Sequence, residues 1–497
     1  MASYPPSVIH QAKNLTETAL AATQSREELA HAGDILHSSL DRLNGPLRVA
    51  IAGKIKAGKS TLLNALVGEE LAPTDAGECT RIITWYQEGV TYKVVAESHG
   101  KIIDLPFTRD ESAIEVDLGD LVAQETSRII ISWPSSALHT ITLIDTPGLA
   151  SLSTDLSERT IAFLTPGEEQ AAQADAVLYL MRHVHSEDIH FLEAFHDNAV
   201  SQATPVNAIG ILSRADEVGG GRLDSLESAK KIAERYKKDQ KLRRLCQTVL
   251  PVAGLLAQTG CSLREAEFRA LLILANAPKS ETDLLLLSVD RFAHAPSPVD
   301  LPIEARRHLL SRLGLFGVRL SIALIHHKIV RNASQLSTEL VKRSGLIELQ
   351  EMLAMQFSSR NEILKARTAL LTLDAVIEKF HFPNTHELRN QLERIFSSTH
   401  EFTEIRLLNA IRAGNVRFSS EEITDAEQLL GVRGNNIHSR LGLEKQEDIS
   451  IIRKKTFDEL SRWQRRAENP ISTRETVEAA RVLIRTCEGI LVTMAAA

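Results

Sequence analysis

The residues best placed to do chemistry in this chain are Gly53, Gly58, Lys59 and Ser60, in the run Gly53-Lys54-Ile55-Lys56-Ala57-Gly58-Lys59-Ser60. Two glycines framing four variable positions and followed by Lys and Ser form a phosphate loop, whose backbone N–H groups cradle a triphosphate. Such a loop needs a strand before it and a helix after it. Leu47-Arg48-Val49-Ala50-Ile51-Ala52 reads as a buried parallel strand, and Thr61-Leu62-Leu63-Asn64-Ala65-Leu66 as the opening of a helix. The helix N-terminus turns free N–H groups and a positive dipole end toward the anion. In that frame Gly53, Lys54, Ala57, Gly58 and Thr61 surround the phosphates. Lys59 reaches the β- and γ-phosphates, and the Ser60 hydroxyl ligates Mg²⁺.

Three further motifs follow in order. Asp145-Thr146-Pro147-Gly148 succeeds the strand Ile141-Thr142-Leu143-Ile144. An Asp there faces the phosphate loop and holds a Mg²⁺-bound water, while the Gly148 N–H reads the γ-phosphate ahead of a second switch over 149–166. Thr80, twenty residues past Ser60, has the spacing of a first-switch threonine that completes the Mg²⁺ shell; the plainer reading is a strand-entry residue. Ser213-Arg214-Ala215-Asp216 follows Ala208-Ile209-Gly210-Ile211-Leu212 and matches the base-reading pattern Asn/Thr-Lys-x-Asp. The Asp216 carboxylate accepts from guanine N1–H and N2–H₂, which adenine does not offer, and the planar Arg214 guanidinium can stack on the purine. Ala253, after the next strand, sits where a backbone N–H meets guanine O6. The nucleotide is therefore GTP or GDP rather than an adenine nucleotide.

Around these motifs, strands are expected at 47–52, 81–87, 92–97, 128–132, 140–144, 176–181, 207–212 and 248–252, alternating with helices: a mostly parallel sheet covered on both faces. Residues 8–44 read as an amphipathic helical arm, and from about 262 onward the pattern is helical, with 264–276, 302–329 and 337–357 as helices and Leu284–Leu287 buried. Breaks are expected at Phe382-Pro383, with an Asn384/Glu387 capping box, at Gly414, over 431–442 and near Pro470. The apolar stripe of 472–494 calls for a partner helix, with the arm 8–44 as the natural one. The division is a helical arm (1–45), a GTPase domain (46–357) and a helical neck and trunk (358–497).

With 497 residues, 43% hydrophobic, 24% charged and a net charge of −7, the chain is globular and lacks the basic surplus of a nucleic-acid binder. Four scattered cysteines suit a reducing cytosol. Neither a signal peptide nor an apolar run long enough to span a bilayer is legible, so the expected location is cytoplasmic and any membrane contact would have to be peripheral. The basic cluster from Lys230 to Arg244 reads as a solvated helix face, or else as a lipid or partner patch. His183, His185 and His190 read as a polar loop rather than a zinc site.

The phosphate loop with Thr61-Leu62-Leu63-Asn64-Ala65-Leu66-Val67-Gly68, the stretch Ala72-Pro73-Thr74-Asp75-Ala76, Thr80-Arg81-Ile82-Ile83-Thr84-Trp85 and Leu212-Ser213-Arg214-Ala215-Asp216-Glu217 resemble the dynamin superfamily. Within it they are most similar to the mycobacterial isoniazid-inducible group of bacterial dynamin-like GTPases. The resemblance covers most of residues 40–370 and implies a GTPase on a helical neck and trunk. It also implies self-association across the nucleotide face, or with a related dynamin-like subunit, and remodelling of membranes.

Two positions depart from the family. Eukaryotic dynamins carry Gln and Ser where this chain has Ile55 and Lys56. Ile55 cannot orient water. Lys56 either supplies the cation that a monovalent ion or arginine finger provides elsewhere, making it catalytic with Lys59 and Thr80, or faces solvent and only adds to phosphate attraction. Where the C-terminal helices turn over, Leu430, Val432, Arg433, Arg440 and Leu441 are either a plain glycine-rich turn or a membrane-contacting tip. Two other readings remain: a GTP switch acting on protein partners, and a weakly hydrolysing scaffold subunit.

Overall fold

The computed structural model describes residues 7–24, 26–72, 82–98, 100–109, 114–119, 121–122, 126–147, 174–183, 188–189, 192, 208–356, 361–382, 384–444 and 446–496. Its strands are β1 (Leu47–Gly53), β2 (Thr84–Glu88), β3 (Lys93–Ser98), β4 (Lys101–Asp104), β5 (Phe107–Arg109), β6 (Ile114–Val116), β7 (Thr126–Trp133), β8 (Ile141–Asp145), β9 (Ala176–Met181), β10 (Ala208–Ser213) and β11 (Val249–Val252). Nine of them form one sheet in the order β11-β10-β9-β1-β8-β2-β7-β3-β4, while β5 and β6 pair separately. From β11 to β8 every pairing is parallel. Antiparallel contacts enter at β2–β8 and on the β3–β4 edge.

Alternation along β1 explains why the sheet is covered on both faces. Leu47, Val49 and Ile51 pack into one core with Leu62, Leu63 and Leu66 of α3 (Lys59–Val67). Ala50 and Ala52 point the other way, into a core with Trp85, Tyr179, Leu242 and Leu245. The central strands β9 and β10 are buried throughout, as parallel strands sandwiched between helices must be.

The arm comprises α1 (Val8–Thr23) and α2 (Ala30–Asn44), two helices with a short turn of 3₁₀ helix between them rather than one. After β10 come α4 (Ser225–Lys238), α5 (Gln240–Leu245), α6 (Gly254–Ser262), α7 (Glu265–Asn276), α8 (Lys279–Leu285), α9 (Val289–His294), α10 (Ile303–His326), α11 (Ala333–Ser344) and α12 (Leu346–Gln356). The helix expected over 337–357 is split at Gly345, whose φ of +83° ends α11. Leu285 and Leu286 are buried, but Leu284 and Leu287 face solvent, because a helical run presents only one side to the core. Among the described helices α10 has the length and composition to cross a membrane. Its apolar side chains Leu309, Leu313, Phe316, Leu320 and Leu324 instead fill a core shared with α6, α7 and α11.

The remaining helices are α13 (Asn361–Lys379), α14 (Thr385–Ser398), α15 (His400–Arg412), α16 (Ser420–Leu429), α17 (Ile437–Leu441), α18 (Ile449–Glu468) and α19 (Arg474–Ala496). They divide between two cores. The arm packs on α13 and α14 through Leu15, Ala19, Leu36, Leu370 and Leu373. Among the described residues the terminal helix α19 shares no core cluster with the arm; it pairs with α18 and shares a core with α15 and α16 around Trp463, Leu483 and Cys487. The five-residue link after α18 folds α19 straight back along it, which fills the stripe before the arm can reach it. Asn384 makes no side-chain cap, whereas Ser419 and Glu422 form a full capping box at α16.

The reading of a membrane tip is corrected by this packing. Leu430 and Leu441 are 1% and 3% exposed, inside the core around Trp463. Val432 packs against the same core, and its carbonyl accepts from Gln247 Nε2 at 3.4 Å. Arg440 makes a bidentate pair with Glu404 at 2.7 and 2.9 Å. Of the five, Arg433 alone is exposed. This turn lies against the end of α5: Arg412 donates to the Cys246 and Gln247 carbonyls and to Glu427, which also pairs with Arg243. Arg244, though exposed, donates to the Ala413 carbonyl, so the end of the basic cluster also contacts the C-terminal helices.

Candidate nucleotide site

Parallel pairing of β1 with β8 sets Ile51 opposite Asp145, so the strand ends deliver the phosphate loop and the carboxylate to one place. Ser60 Oγ donates to Asp145 Oδ2 at 3.0 Å, while Asp145 Oδ1 is buried with no hydrogen-bond partner among the described residues. An open, buried carboxylate oxygen beside a hydroxyl is a donor set for a hard, oxygen-preferring cation, so these residues fit Mg²⁺. Lys59 Nζ rests on the Gly53 carbonyl at 3.4 Å. Burial pushes the Lys59 ammonium down against the opposing pull of Asp145, and pushes the Asp145 carboxyl up against Lys59 and Ser60. Both charges are under-solvated, a condition that a triphosphate and a divalent cation relieve together.

Within the loop, Ala57 is buried, Gly58 caps α3 with φ +95°, and Ile55 is exposed. Lys56 is a non-glycine residue at φ +61° with its side chain in solvent. Lys54 is drawn aside: its Nζ lies 3.9 Å from Asp188 Oδ1, a buried carboxylate that also accepts from Tyr179 OH at 2.8 Å. Nothing in the spacing of Asp188 marks it in advance, since it reaches the loop only through the fold.

A cleft runs from Ala57, Gly58 and Thr61 to Ser213, Arg214, Asp216, Val252 and Gly254. Asp216, at the far end, is 5% exposed, and its carboxyl is pushed up to about 6 chiefly by burial, with Glu217 adding and Arg214 and Arg182 opposing. Arg214 stands at φ +53° and donates to Glu217 Oε1 at 2.7 Å and to the Lys56 carbonyl at 2.9 Å. Ser213 Oγ donates to the Met181 carbonyl at 3.3 Å and so ties β10 to β9.

One expected contact is overturned. The Ala253 N–H donates to the Ser344 carbonyl at 2.9 Å in a fully buried setting and has nothing left for a base. The N–H groups beside it, at Gly254 and Leu255 on the opening turn of α6, lie in the first turn, which has no helical acceptors, and both residues line the cleft. Thr80 and Gly148 lie outside the described residues, as do the second switch, His185 and His190; His183 is exposed.

Residues 49–214 match the dynamin family. The isoniazid-induced protein IniC of Mycobacterium tuberculosis is 36% identical over 451 residues, 90% of this chain and 91% of that protein. A bacterial dynamin-like protein of Nostoc punctiforme is 29% identical over 153 residues, 28% of this chain and 22% of its own. Among solved structures, a chain of an oligomerised bacterial dynamin pair aligns over 99% of this chain at 16% identity with a TM-score of 0.32.

Proposed function

This chain belongs to the dynamin family of GTPases, and on that premise we propose how its residues divide the work and what the work is for. The carrying observation is the cleft that leads from Ala57, Gly58 and Thr61 of the phosphate loop to the buried Asp216, with the Ser60–Asp145 pair beginning at the residue before Thr61, an arrangement that suits a guanine nucleoside triphosphate. Gly53, Ala57, Gly58 and Thr61 surround the phosphates, with Lys54 as a further cation, and Lys59 bridges the outer two. Mg²⁺, held by Ser60 and Thr80 and through water by Asp145, would offset the charge that develops on the leaving and transferred phosphates. Asp216 selects guanine, Ser213 and Arg214 brace its loop, and the opening turn of α6 meets the O6 edge. Gly148 reads the γ-phosphate. Lys56 supplies a built-in cation to the transition state.

The units are an arm (1–45), a GTPase domain (46–357) and a helical neck and trunk (358–497). Chains associate through their GTPase domains, with each other or with a related dynamin-like subunit, and remodel membranes from the inner face of the bilayer. Family membership supports this part. So does the α18–α19 hairpin: where α18 begins and α19 ends, Ile449 (65% exposed), Ile451, Phe457 and Val492 (66% exposed) stand in solvent beside Arg453 and Lys454. Apolar and basic side chains mixed on a helix surface suit shallow insertion among anionic headgroups.

The test is turnover of GTP and ATP with Mg²⁺ or EDTA, over a protein concentration series, with and without phosphatidylglycerol–cardiolipin vesicles. The proposal expects GTP-specific, Mg²⁺-dependent turnover whose rate per chain rises with concentration, and GTP-dependent vesicle tubulation or fission. Turnover independent of concentration, with vesicles unchanged, would leave the chain a switch acting on protein partners.

A further inference from the structure

Helix α10 runs from Ile303 to His326 but breaks at Gly314, where φ is +63° and ψ 173°. That region of backbone space is open essentially to glycine alone, and interrupting a helix forfeits ladder hydrogen bonds, so the break needs a reason. It lies directly behind Asp216. A Cβ placed on Gly314 would stand 3.8 Å from Asp216 Oδ2 and 3.7 Å from Leu255 Cδ1. A side chain here would therefore sit in van der Waals contact with the carboxylate that reads the base and with the first turn of α6.

The same helix holds the other end of the Asp216 turn. Asp216 is the second residue of the 3₁₀ segment Ala215–Gly220, which leaves through Gly219, Gly220 and Gly221, all at positive φ. A run of glycines has little stiffness of its own. Here it is clamped: Arg319 Nη1 donates to the Gly221 carbonyl at 2.6 Å, and Nη2 donates to the Leu286 carbonyl. A Cβ placed on Gly221 would stand 3.6 Å from the Asp216 carbonyl oxygen and 3.8 Å from Phe316 Cβ. The backbone of α10 at Gly314 therefore lies close behind the Asp216 carboxylate, while Arg319 holds the exit of its turn at Gly221.

We propose that the second half of α10 sets nucleobase specificity, with Gly314 and Arg319 as positioning residues that hold the Asp216 carboxylate square to both guanine donors, N1–H and N2–H₂. This rests on the reading of Asp216 as the guanine reader. A carboxylate held in one orientation rewards the second donor. A tilted one keeps a single hydrogen bond and loses the distinction between guanine and hypoxanthine, which lacks the 2-amino group.

The experiment measures KM and kcat for GTP, ITP and XTP in the full chain and in three variants. Asp216→Asn tests the underlying reading alone: preference must move from GTP to XTP, because the amide now donates to the xanthine 2-oxo group. If it does not, the reading of Asp216 fails whatever α10 does. Arg319→Met keeps the aliphatic packing and removes the clamp. It should raise KM for GTP by about tenfold, the loss of one charge-assisted hydrogen bond, while KM for ITP changes little. Gly314→Ala should shift the same ratio in the same direction, with a lower melting temperature from its strained backbone. A GTP-to-ITP ratio unchanged in Arg319→Met, or both KM values rising together, overturns the proposal and leaves α10 a structural support.

Discussion

Arg214 Nη2 donates to the carbonyl of Lys56 at 2.9 Å, and both residues stand in the left-handed region, at φ +53° and +61°. Each such non-glycine residue costs about 1–2 kcal/mol of backbone energy. Their hydrogen bond straps the base-reading turn to the phosphate loop, so the two halves of the cleft set one another's geometry.

Cutting that strap should weaken nucleotide binding before it affects stability. Arg214→Ala removes a hydrogen bond to the loop, the pairing with Glu217 and a positive neighbour that holds the Asp216 carboxyl down. KM for GTP should rise about 10-fold or more, the worth of one charge-assisted hydrogen bond. The defect should deepen below pH 7, where Asp216 in the variant is more fully protonated. Arg214→Lys keeps the charge but cannot reach both acceptors, and falls between. Steady-state kinetics at pH 6.5 and 8 check both points.

Asp216 also makes stability depend on pH. Its carboxyl rises from 3.8 to about 6 on folding, so the folded chain holds its proton more tightly than the unfolded chain. That contribution is full below the unfolded value and is lost as pH rises through 6, about 3 kcal/mol in all. Asp216→Asn should therefore stabilise the nucleotide-free protein at pH 8 relative to the native chain, and by much less at pH 4. GTP should cancel the native chain's deficit, since guanine donors favour the charged form. Urea denaturation at the two pH values, with and without GTP, provides the measurement.

The metal assignment is checked at Ser60 and Asp145. Ser60→Ala leaves Asp145 Oδ2 without its donor, and Asp145→Asn removes the charge that faces the cation. Both should raise the Mg²⁺ concentration for half-maximal turnover by at least about 10-fold, as loss of an oxygen ligand or its charge requires. Native turnover should vanish in EDTA. A Mg²⁺ dependence unchanged in both variants would remove these residues from the metal shell.

Much of this was legible from the chain. Periodicity exposed the sheet because β9 and β10 are unbroken apolar runs, and the phosphate loop, Asp145 and Asp216 follow strands at short fixed offsets. What stayed hidden depends on distant partners. Ala253 looked available to a base until Ser344, 91 residues on, took its N–H. Asp188 meets Lys54, and Gly314 meets Asp216, only through the fold. Leu430 and Leu441 had the composition of an exposed turn, but composition does not reveal that α18 and α19 close over them.

Lys56 gives a prediction in which the identity of the salt matters. Its ammonium is solvent-facing and has only to swing over a bound triphosphate, so native turnover should be equal in choline and potassium buffers of the same ionic strength. Lys56→Ser should lose about 10-fold or more in choline, at the low end of what a transition-state cation supplies, and recover partly in potassium. A strong potassium requirement in the native chain would show instead that Lys56 only attracts phosphate.

Glu404 and Arg440 test whether the 430–442 turn is a core element. Glu404 accepts from both Arg440 nitrogens, from Thr486 and from His400, and its carboxyl falls from 4.5 to about 2 despite burial. A depressed carboxyl adds stability that is present above 4.5 and is lost as pH falls toward 2, about 3 kcal/mol. Removing one partner strands the other in the core, so Glu404→Gln and Arg440→Met should each cost about 3–5 kcal/mol at pH 7. The double variant should cost less than the two together, because no unpaired charge remains. Leu430→Ser and Leu441→Ser should likewise lose about 2–5 kcal/mol, as buried leucines do when replaced by small side chains, and polarity adds to the cost. Denaturation curves for the five variants decide the matter: if Leu430→Ser is as stable as the native chain but no longer sediments with vesicles, Leu430 faces lipid and the packed turn is wrong.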